Sequence, residues 1–319
     1  MKKTELISSI PVVDLNDFEN GNKQLFVEQL GKAYSEVGFV AVKNHYLNKE
    51  CSDRLYKNVK EFFSLPDSVK AKYEFPELFG QRGYVGKGKE HAKGRDIGDL
   101  KEFYHFGQSE KDNPYKEDYP KNVIVSEIPD FLPSASEAFA SLEKTGLKML
   151  RAIALFLDLE ENYFDEKVRF GNSILRPIHY FPINPDSVEE GAVRAAEHGD
   201  INLITLLMGA SAEGLEILSK EGEWVPVTAI EDHLIVNVGD MLERHTNNRL
   251  RSTIHRVVNP PKEKLGTSRY SIPFFMHPHG SMDLSCLSSC IDSDNSKQYD
   301  DITAGEFLEQ RLAEIGLKK

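Results

Sequence analysis

Three polar side chains have the types and spacing to hold a metal. His198 and Asp200 flank Gly199, and His255 follows later in Leu250-Arg251-Ser252-Thr253-Ile254-His255-Arg256-Val257. On a strand, residues i and i+2 project from one face. One imidazole and one carboxylate would therefore point together, with glycine leaving room between them. Two ligands hold a divalent transition metal loosely, and a second imidazole from a distant strand, His255, completes one face. Two histidines and one carboxylate with open positions opposite suit a non-haem Fe(II) oxygenase, whereas structural zinc takes a closed tetrahedral set. A lone His-x-Asp arises often by chance, and a strand histidine is ordinarily a hydrogen-bonded core residue. The surrounding sequence has to decide.

Arg269 and Ser271 form a second pair at i, i+2 spacing. They precede the apolar run Ile272-Pro273-Phe274-Phe275. A guanidinium and a hydroxyl on one strand face suit a carboxylate. The apolar neighbours argue for burial over a surface ion pair, and a buried arginine wants an anion.

These residues need elements to position them. Phe26, Leu30, Ala33, Tyr34 and Val37 recur at helical spacing over Lys23 to Val37, and Gly38 supplies the stop. Asn48 caps a second helix with Cys51, Leu55, Val59 and Phe62 inside, ended by Leu65-Pro66. The longest helical pattern, Pro133 to Asp158, carries Phe139, Leu142, Leu147, Leu150, Ile153, Ala154 and Leu157 and buttresses a sheet. From Ser173 the period changes. Ile174 to Phe181, Ala192 to Glu197, Ile201 to Leu207, Leu215 to Leu218, Trp224 to Val227, His233 to Val238, Ser252 to Asn259 and Arg269 to His277 read as short strands. Strands at this spacing predict an antiparallel sandwich or barrel. Thr303-x-x-Glu306 predicts a capping box for a final helix.

Phe79 to Gly107 is rich in glycine and charge and reads as a long loop skirting the site, apart from a strand at Glu102 to Phe106. His105 in that strand is read as core.

Composition sets outer bounds. A chain of 319 residues with 40% hydrophobic content has ample core material, and a formal net charge of −12 argues against nucleic acid. The N-terminus, Met1-Lys2-Lys3-Thr4-Glu5, opens no signal-peptide run, and no stretch has the roughly 20 apolar residues of a membrane span. Cys51, Cys286 and Cys290 suggest no disulfide framework and point to a reducing cytoplasm. Cys286 and Cys290 could share a helix face without making a metal site.

Read together, the segments resemble the iron- and 2-oxoglutarate-dependent dioxygenases, in the isopenicillin N synthase-like branch. Ile10-Pro11-Val12-Val13-Asp14-Leu15, Gly38-Phe39-Val40 with Asn44-His45, and Leu175-Arg176-Pro177-Ile178-His179-Tyr180 carry the resemblance. So do His198-x-Asp200, Val236-Asn237-Val238-Gly239-Asp240, Arg251-Ser252-Thr253-x-His255 and Arg269-x-Ser271, in the family's order. The resemblance implies a mainly β fold with flanking helices around a double-stranded β-helix, or jelly-roll. It implies one domain over 1–319: an N-terminal helical and strand portion (1–165), a core with the metal site (166–280) and a C-terminal helical tail (281–319). His198, Asp200 and His255 would bind Fe(II), leaving positions for 2-oxoglutarate and O2. Arg269 and Ser271 would hold the far carboxylate of 2-oxoglutarate, with Tyr180 beside it. Arg82 or Tyr84 would meet the substrate. Asp240 and Asn247 would shape turns near His255, Asp240 also supporting a ligand. The implied reaction converts 2-oxoglutarate to succinate and CO2 while oxidising, most often hydroxylating, a small organic substrate. No nucleic acid, membrane or obligate protein partner is implied. Two other readings stay open: an oxidase using Fe(II) and O2 without 2-oxoglutarate, and a β-barrel that binds without catalysis.

Overall fold

Two β-sheets carry the site, and alternation along their strands decides which side chains reach it. The computed structural model describes residues 10–89, 99–108, 113–115, 119–183, 193–209, 214–227 and 230–314. Among these residues the larger sheet runs Val12–Asp14, Phe39–Lys43, Leu234–Val238, Ile204–Met208, Arg269–Met276, Ile174–Leu175, Lys101–Gly107 and Gly83–Val85. Ile178–Tyr180 pairs with both Arg269–Met276 and Lys101–Gly107. The smaller sheet runs Trp224–Pro226, Leu215–Leu218, His255–Val257 and Ala195–His198. Pairing is antiparallel except between Val12–Asp14 and Phe39–Lys43. This is the jelly-roll core with flanking helices that the resemblance implied, within the sandwich or barrel that the strand pattern predicted.

The period of two sorts each strand of the larger sheet into two faces. Arg269, Ser271, Pro273 and Phe275 border a narrow cavity between the sheets, while Ile272, Phe274 and Met276 enter the main core. Thr205 and Leu207 face that cavity; Ile204, Leu206 and Met208 face the core. Phe39 and Asn237 repeat the inward set. The core face is covered by the helices Lys23–Glu36, Lys49–Phe63 and Phe131–Phe156, through Phe26, Leu30, Leu55, Phe62, Leu142 and Leu150. Burying each such side chain stabilises the fold by about 1.5–3 kcal/mol before entropy is counted, so these helices hold the sheet in shape. Local signals set their ends. Asn48 Oδ1 accepts from Cys51 N at 2.8 Å, and Gly38, at φ +78°, ends the first long helix where a Cβ would stand 2.5 Å from the Arg251 carbonyl.

Some elements differ from the sequence reading. Ile174 to Phe181 is two strands, because Pro177 has no N–H to give a ladder; Arg176 N instead donates to the Pro273 carbonyl at 2.9 Å. Ser252 to Asn259 shrinks to His255–Val257. The expected loop over Phe79 to Gly107 contains a strand, Gly83–Val85, paired with Phe103 to His105; residues 90–98 lie outside the described residues. Ala192, the expected start of the metal strand, also lies outside them, and the strand is described from Ala195. Cys290 ends a short 3-10 turn, Ser288–Cys290, so it shares no α-helix face with Cys286. The capping box forms: Glu306 Oε2 accepts from Thr303 N at 2.9 Å, and the helix Ala304–Glu314 follows.

Candidate metal centre

His198 and His255 are direct partners across the smaller sheet, with ring centroids 4.5 Å apart. Asp200 follows just past the end of the His198 strand. One ligand atom from each of the three lies within 4.8 Å of the others, and His255 Nε2 stands 3.7 Å from Asp200 Oδ1. The sequence-predicted trio is therefore one cluster. Gly199 is required between the two ligands, since a Cβ there would sit 2.7 Å from Asp240 Oδ1 and 3.1 Å from Ser252 Oγ.

Neighbouring groups aim each donor. His198 Nδ1 contacts the Ala196 carbonyl at 2.7 Å and His255 Nδ1 the Thr253 carbonyl at 3.1 Å. A carbonyl only accepts, so each Nδ1 carries the proton and each Nε2 lone pair faces the cluster. Asp200 Oδ2 is occupied by Thr205 Oγ1 and Asn237 Nδ2, both at 2.7 Å, which leaves Oδ1 toward His255. Register places those two donors side by side, Asn237 opposite Thr205. Burial, then the neighbouring His255, pushes His198 down to about 4, so it is neutral near pH 7. Burial alone would raise Asp200, but His255, His198, Asn237 and Thr205 together bring it below the ordinary aspartate value. A neutral His198 and an ionised Asp200 are the protonation states a divalent cation needs of those two side chains.

The narrow cavity, about 70 Å³, is bordered by all three of these residues and also by Arg269, Ser271 and Tyr180. Arg269 and Ser271 are buried, and the Arg269 guanidinium lies 5.0 Å from the Tyr180 ring centroid, Tyr180 being its cross-strand partner. A cation and a hydroxyl deep beside the His198, Asp200 and His255 cluster suit a carboxylate. A larger cavity of about 380 Å³ borders His198 and Asp200 from another side, with Arg176, His277, Ile254 and Leu312 among its walls.

Comparison with known proteins agrees with this chemistry. Residues 172–278 match the model of the 2OG-Fe(II) oxygenase superfamily, and residues 10–127 that of the non-haem dioxygenase in morphine synthesis N-terminal region. The proline hydroxylase buaE of Petromyces alliaceus is 33% identical over 316 residues, covering 94% of this chain and 97% of its own. A 2OG-Fe(II) oxygenase family protein from Caulobacter crescentus is 41% identical, with a TM-score of 0.86 over 97% of this chain and 99% of its own. The chain belongs to the 2-oxoglutarate- and Fe(II)-dependent oxygenases. A full-length Neurospora crassa protein in complex with alpha-KG is 30% identical, with a TM-score of 0.85 over 98% of both chains. The protein is thus a dioxygenase using Fe(II), 2-oxoglutarate and O2, and the readings without 2-oxoglutarate or without catalysis fall away.

The oxygenase places other expected residues differently. Arg82 borders neither cavity. Its guanidinium is buried, donating to the Gln81 carbonyl at 2.7 Å and to Asn172 Oδ1 at 3.2 Å, and it fills the space beside Gly107. Tyr84 also points into the core, where its hydroxyl donates to Glu102 Oε2 at 2.5 Å. Tyr84 lies within the strand Gly83–Val85 and Arg82 directly before it, and Phe79, Gly80 and Gln81 border the larger cavity instead. His105 is buried as expected yet borders that cavity too. Its Nδ1 donates to the Gly80 carbonyl at 2.6 Å, and its Nε2 accepts from Arg176 Nε at 2.5 Å. Arg176 lies between Phe103 and Phe275, with its guanidinium 4.4 and 5.0 Å from their centroids, and borders both cavities. Sequence reasoning missed Arg176, and missed Thr205 and Asn237 as partners of Asp200. A signal existed for the last two: each is a polar residue inside an apolar strand. Asn247, at φ +49°, does shape a turn, donating to the Cys290 carbonyl at 3.1 Å.

Proposed function

We propose that His198 and His255 through Nε2, and Asp200 through Oδ1, hold the Fe(II) of this dioxygenase. Arg269 and Ser271, with Tyr180 beside them, receive the distal carboxylate of 2-oxoglutarate. The observation that carries this reading is the single narrow cavity bordered by all six residues. When bound, the iron supplies O2 activation and the oxidative decarboxylation of 2-oxoglutarate to succinate and CO2. The chain supplies orientation and an enclosure. Asn237 and Thr205 hold Asp200 by one oxygen, the Ala196 and Thr253 carbonyls hold the imidazoles in one tautomer, and Ile174, Ile254 and Phe275 give the larger cavity apolar walls.

The substrate is a small organic molecule seated in the larger cavity and hydroxylated there. That cavity, about 380 Å³, has the size of a small-molecule site. Small ring compounds come first for screening, because one relative is named a proline hydroxylase and the Neurospora protein is also described with thymine. The chain works in a reducing cytoplasm, a setting supported by its free Cys51, Cys286 and Cys290, and needs neither nucleic acid nor an obligate protein partner. No described helix is long and apolar enough to cross a membrane. The 319 residues act as one unit, since one hydrophobic cluster joins Val13, Leu142, Phe274 and Ala304.

The test is an anaerobic titration of metal-free protein with Fe(II) and 2-oxoglutarate, following the visible charge-transfer band of the chelated keto acid. The band should form with the natural chain and vanish in His198→Ala and Asp200→Ala. A band that persists in either variant would move the ligands elsewhere.

A further inference from the structure

The final helix, Ala304–Glu314, presents Leu308, Arg311 and Leu312 to the same cavity that His198 and Asp200 border. Positions i, i+3 and i+4 share a helix face, so this wall is one side of the helix. Arg311 does more than fill space. Its Nη2 lies 3.1 Å from Asp240 Oδ2, and its Nη1 donates to Glu314 Oε2 at 2.8 Å. Asp240 in turn meets both segments that carry ligands. Its Oδ1 accepts from Ser252 Oγ at 2.6 Å, three residues before His255. Its backbone N–H donates to the Asp200 carbonyl at 2.7 Å. Its carboxylate also lies against Gly199, where a Cβ would stand 2.7 Å away.

One carboxylate thus joins the C-terminal helix, the His198-Gly199-Asp200 turn and the segment leading into His255. Arg311 is the cation opposite it. A half-buried carboxylate that loses its cation must find other partners or turn toward water. Either motion would shift the surface on which Gly199 rests and the hydrogen bond to the Asp200 carbonyl.

We propose that Arg311 is a positioning residue: through Asp240 it makes the geometry of the metal ligands depend on the C-terminal helix seated against the substrate cavity. This rests on the ligand assignment above. A substrate touching Leu308 and Leu312 presses on the same helix face, so cavity occupancy and metal geometry are mechanically linked.

The test uses the full chain, metal-free and anaerobic, with Fe(II) for affinity and Co(II) as a spectroscopic probe of coordination. Arg311→Leu removes the cation at similar size, Arg311→Lys keeps it, and Asp240→Asn removes the carboxylate charge. Disturbing groups that orient metal ligands typically weakens affinity 10–100-fold. Arg311→Leu and Asp240→Asn should each weaken Fe(II) binding about tenfold and shift the Co(II) ligand-field bands. The double variant should be no weaker than the worse single, because both remove one link. Arg311→Lys should recover most of the affinity. Thermal unfolding of each variant is followed in parallel. If Arg311→Leu lowers only the unfolding temperature, with Fe(II) affinity and Co(II) bands unchanged, the residue merely docks the helix and the proposal fails. His198→Ala is the separate control: undiminished Fe(II) affinity there would overturn the ligand assignment itself.

Discussion

Asp200 divides its two oxygens between support and chemistry. Oδ2 takes hydrogen bonds from Thr205 and Asn237, and Oδ1 faces His255. Removing one donor leaves Oδ2 half satisfied in a buried setting, and the carboxylate can then rotate. Asn237→Leu should weaken Fe(II) binding by roughly 10–100-fold with the fold retained. Anaerobic Fe(II) titration with far-UV circular dichroism checks this, and unchanged affinity would show that Thr205 alone suffices. Arg269 is the complementary case, proposed to hold the co-substrate. Truncating one partner of a buried charge pair costs about 2–5 kcal/mol, so Arg269→Ala should raise the KM for 2-oxoglutarate by a factor of about 30 or more. Iron affinity should stay within about twofold, since the three ligand side chains are oriented by Ala196, Thr253, Thr205 and Asn237. Equal losses in both would make Arg269 a general support of the barrel. These sites were legible to different degrees for a physical reason. Arg269-x-Ser271 announces itself because strand alternation turns spacing into shared direction, whereas Asp200 lies just past the His198 strand and meets the two histidines through the turn at Gly199. Arg82 is expected to meet the substrate because its glycine-rich stretch reads as a loop over the site, whereas a backbone carbonyl and Asn172 hold its guanidinium inward. Nothing local reveals that Arg311 meets Asp240, since that contact is made only by the tertiary fold.

At the level of elements, the helices were legible from their apolar period and their caps, and the strands from alternation and turn residues. Their boundaries depended on ladder chemistry that pattern does not carry, as the break at Pro177 shows. The packing between helices was not legible at all. Gly31 sits within Lys23–Glu36, where propensity alone favours alanine by about 0.8–1 kcal/mol. A Cβ at Gly31 would nevertheless lie 2.0–2.3 Å from ring atoms of Phe156, at the end of Phe131–Phe156. Overpacking of this kind costs about 1–3 kcal/mol, and a planar ring met along its edge has little room to give. Packing should therefore win over propensity. Gly31→Ala should lower the unfolding free energy by up to about 2 kcal/mol, read as a lower midpoint in urea denaturation. A raised midpoint would mean that Phe156 swings away freely and that the two helices are less tightly joined than their contact suggests.

For the whole molecule, buried histidines tie stability to pH. His277 borders the larger cavity, and its Nδ1 is buried with no hydrogen-bond partner among the described residues. Burial pushes its pKa down to about 4, with Arg176 and Arg82 adding to the effect against Asp200. His198, His45, His245 and His279 are lowered as well, burial being the largest cause in each. In the unfolded chain a histidine binds its proton below about 6.5, whereas His277 in the fold resists until about 4. Between those values the unfolded state holds more protons, so stability is complete above about pH 6.5 and is lost as the pH falls toward 4. Asp240 and Glu243 act the other way, because burial raises their pKa values in the fold. They oppose the five histidines, while Glu102 and Asp200, lowered in the fold, act in the histidines' direction. A displacement from about 6.5 to about 4 is worth at most about 3 kcal/mol for His277 alone. Metal-free protein should therefore unfold at clearly lower denaturant at pH 5 than at pH 7.5. His277→Asn, which cannot titrate in this range, should lose less stability across the same interval, by about 1–2 kcal/mol, whatever its stability at pH 7.5. Parallel losses in the two proteins would assign the acid sensitivity to His198 and the remaining buried rings. In that case Fe(II), which needs neutral imidazoles, should restore stability at pH 5 only weakly.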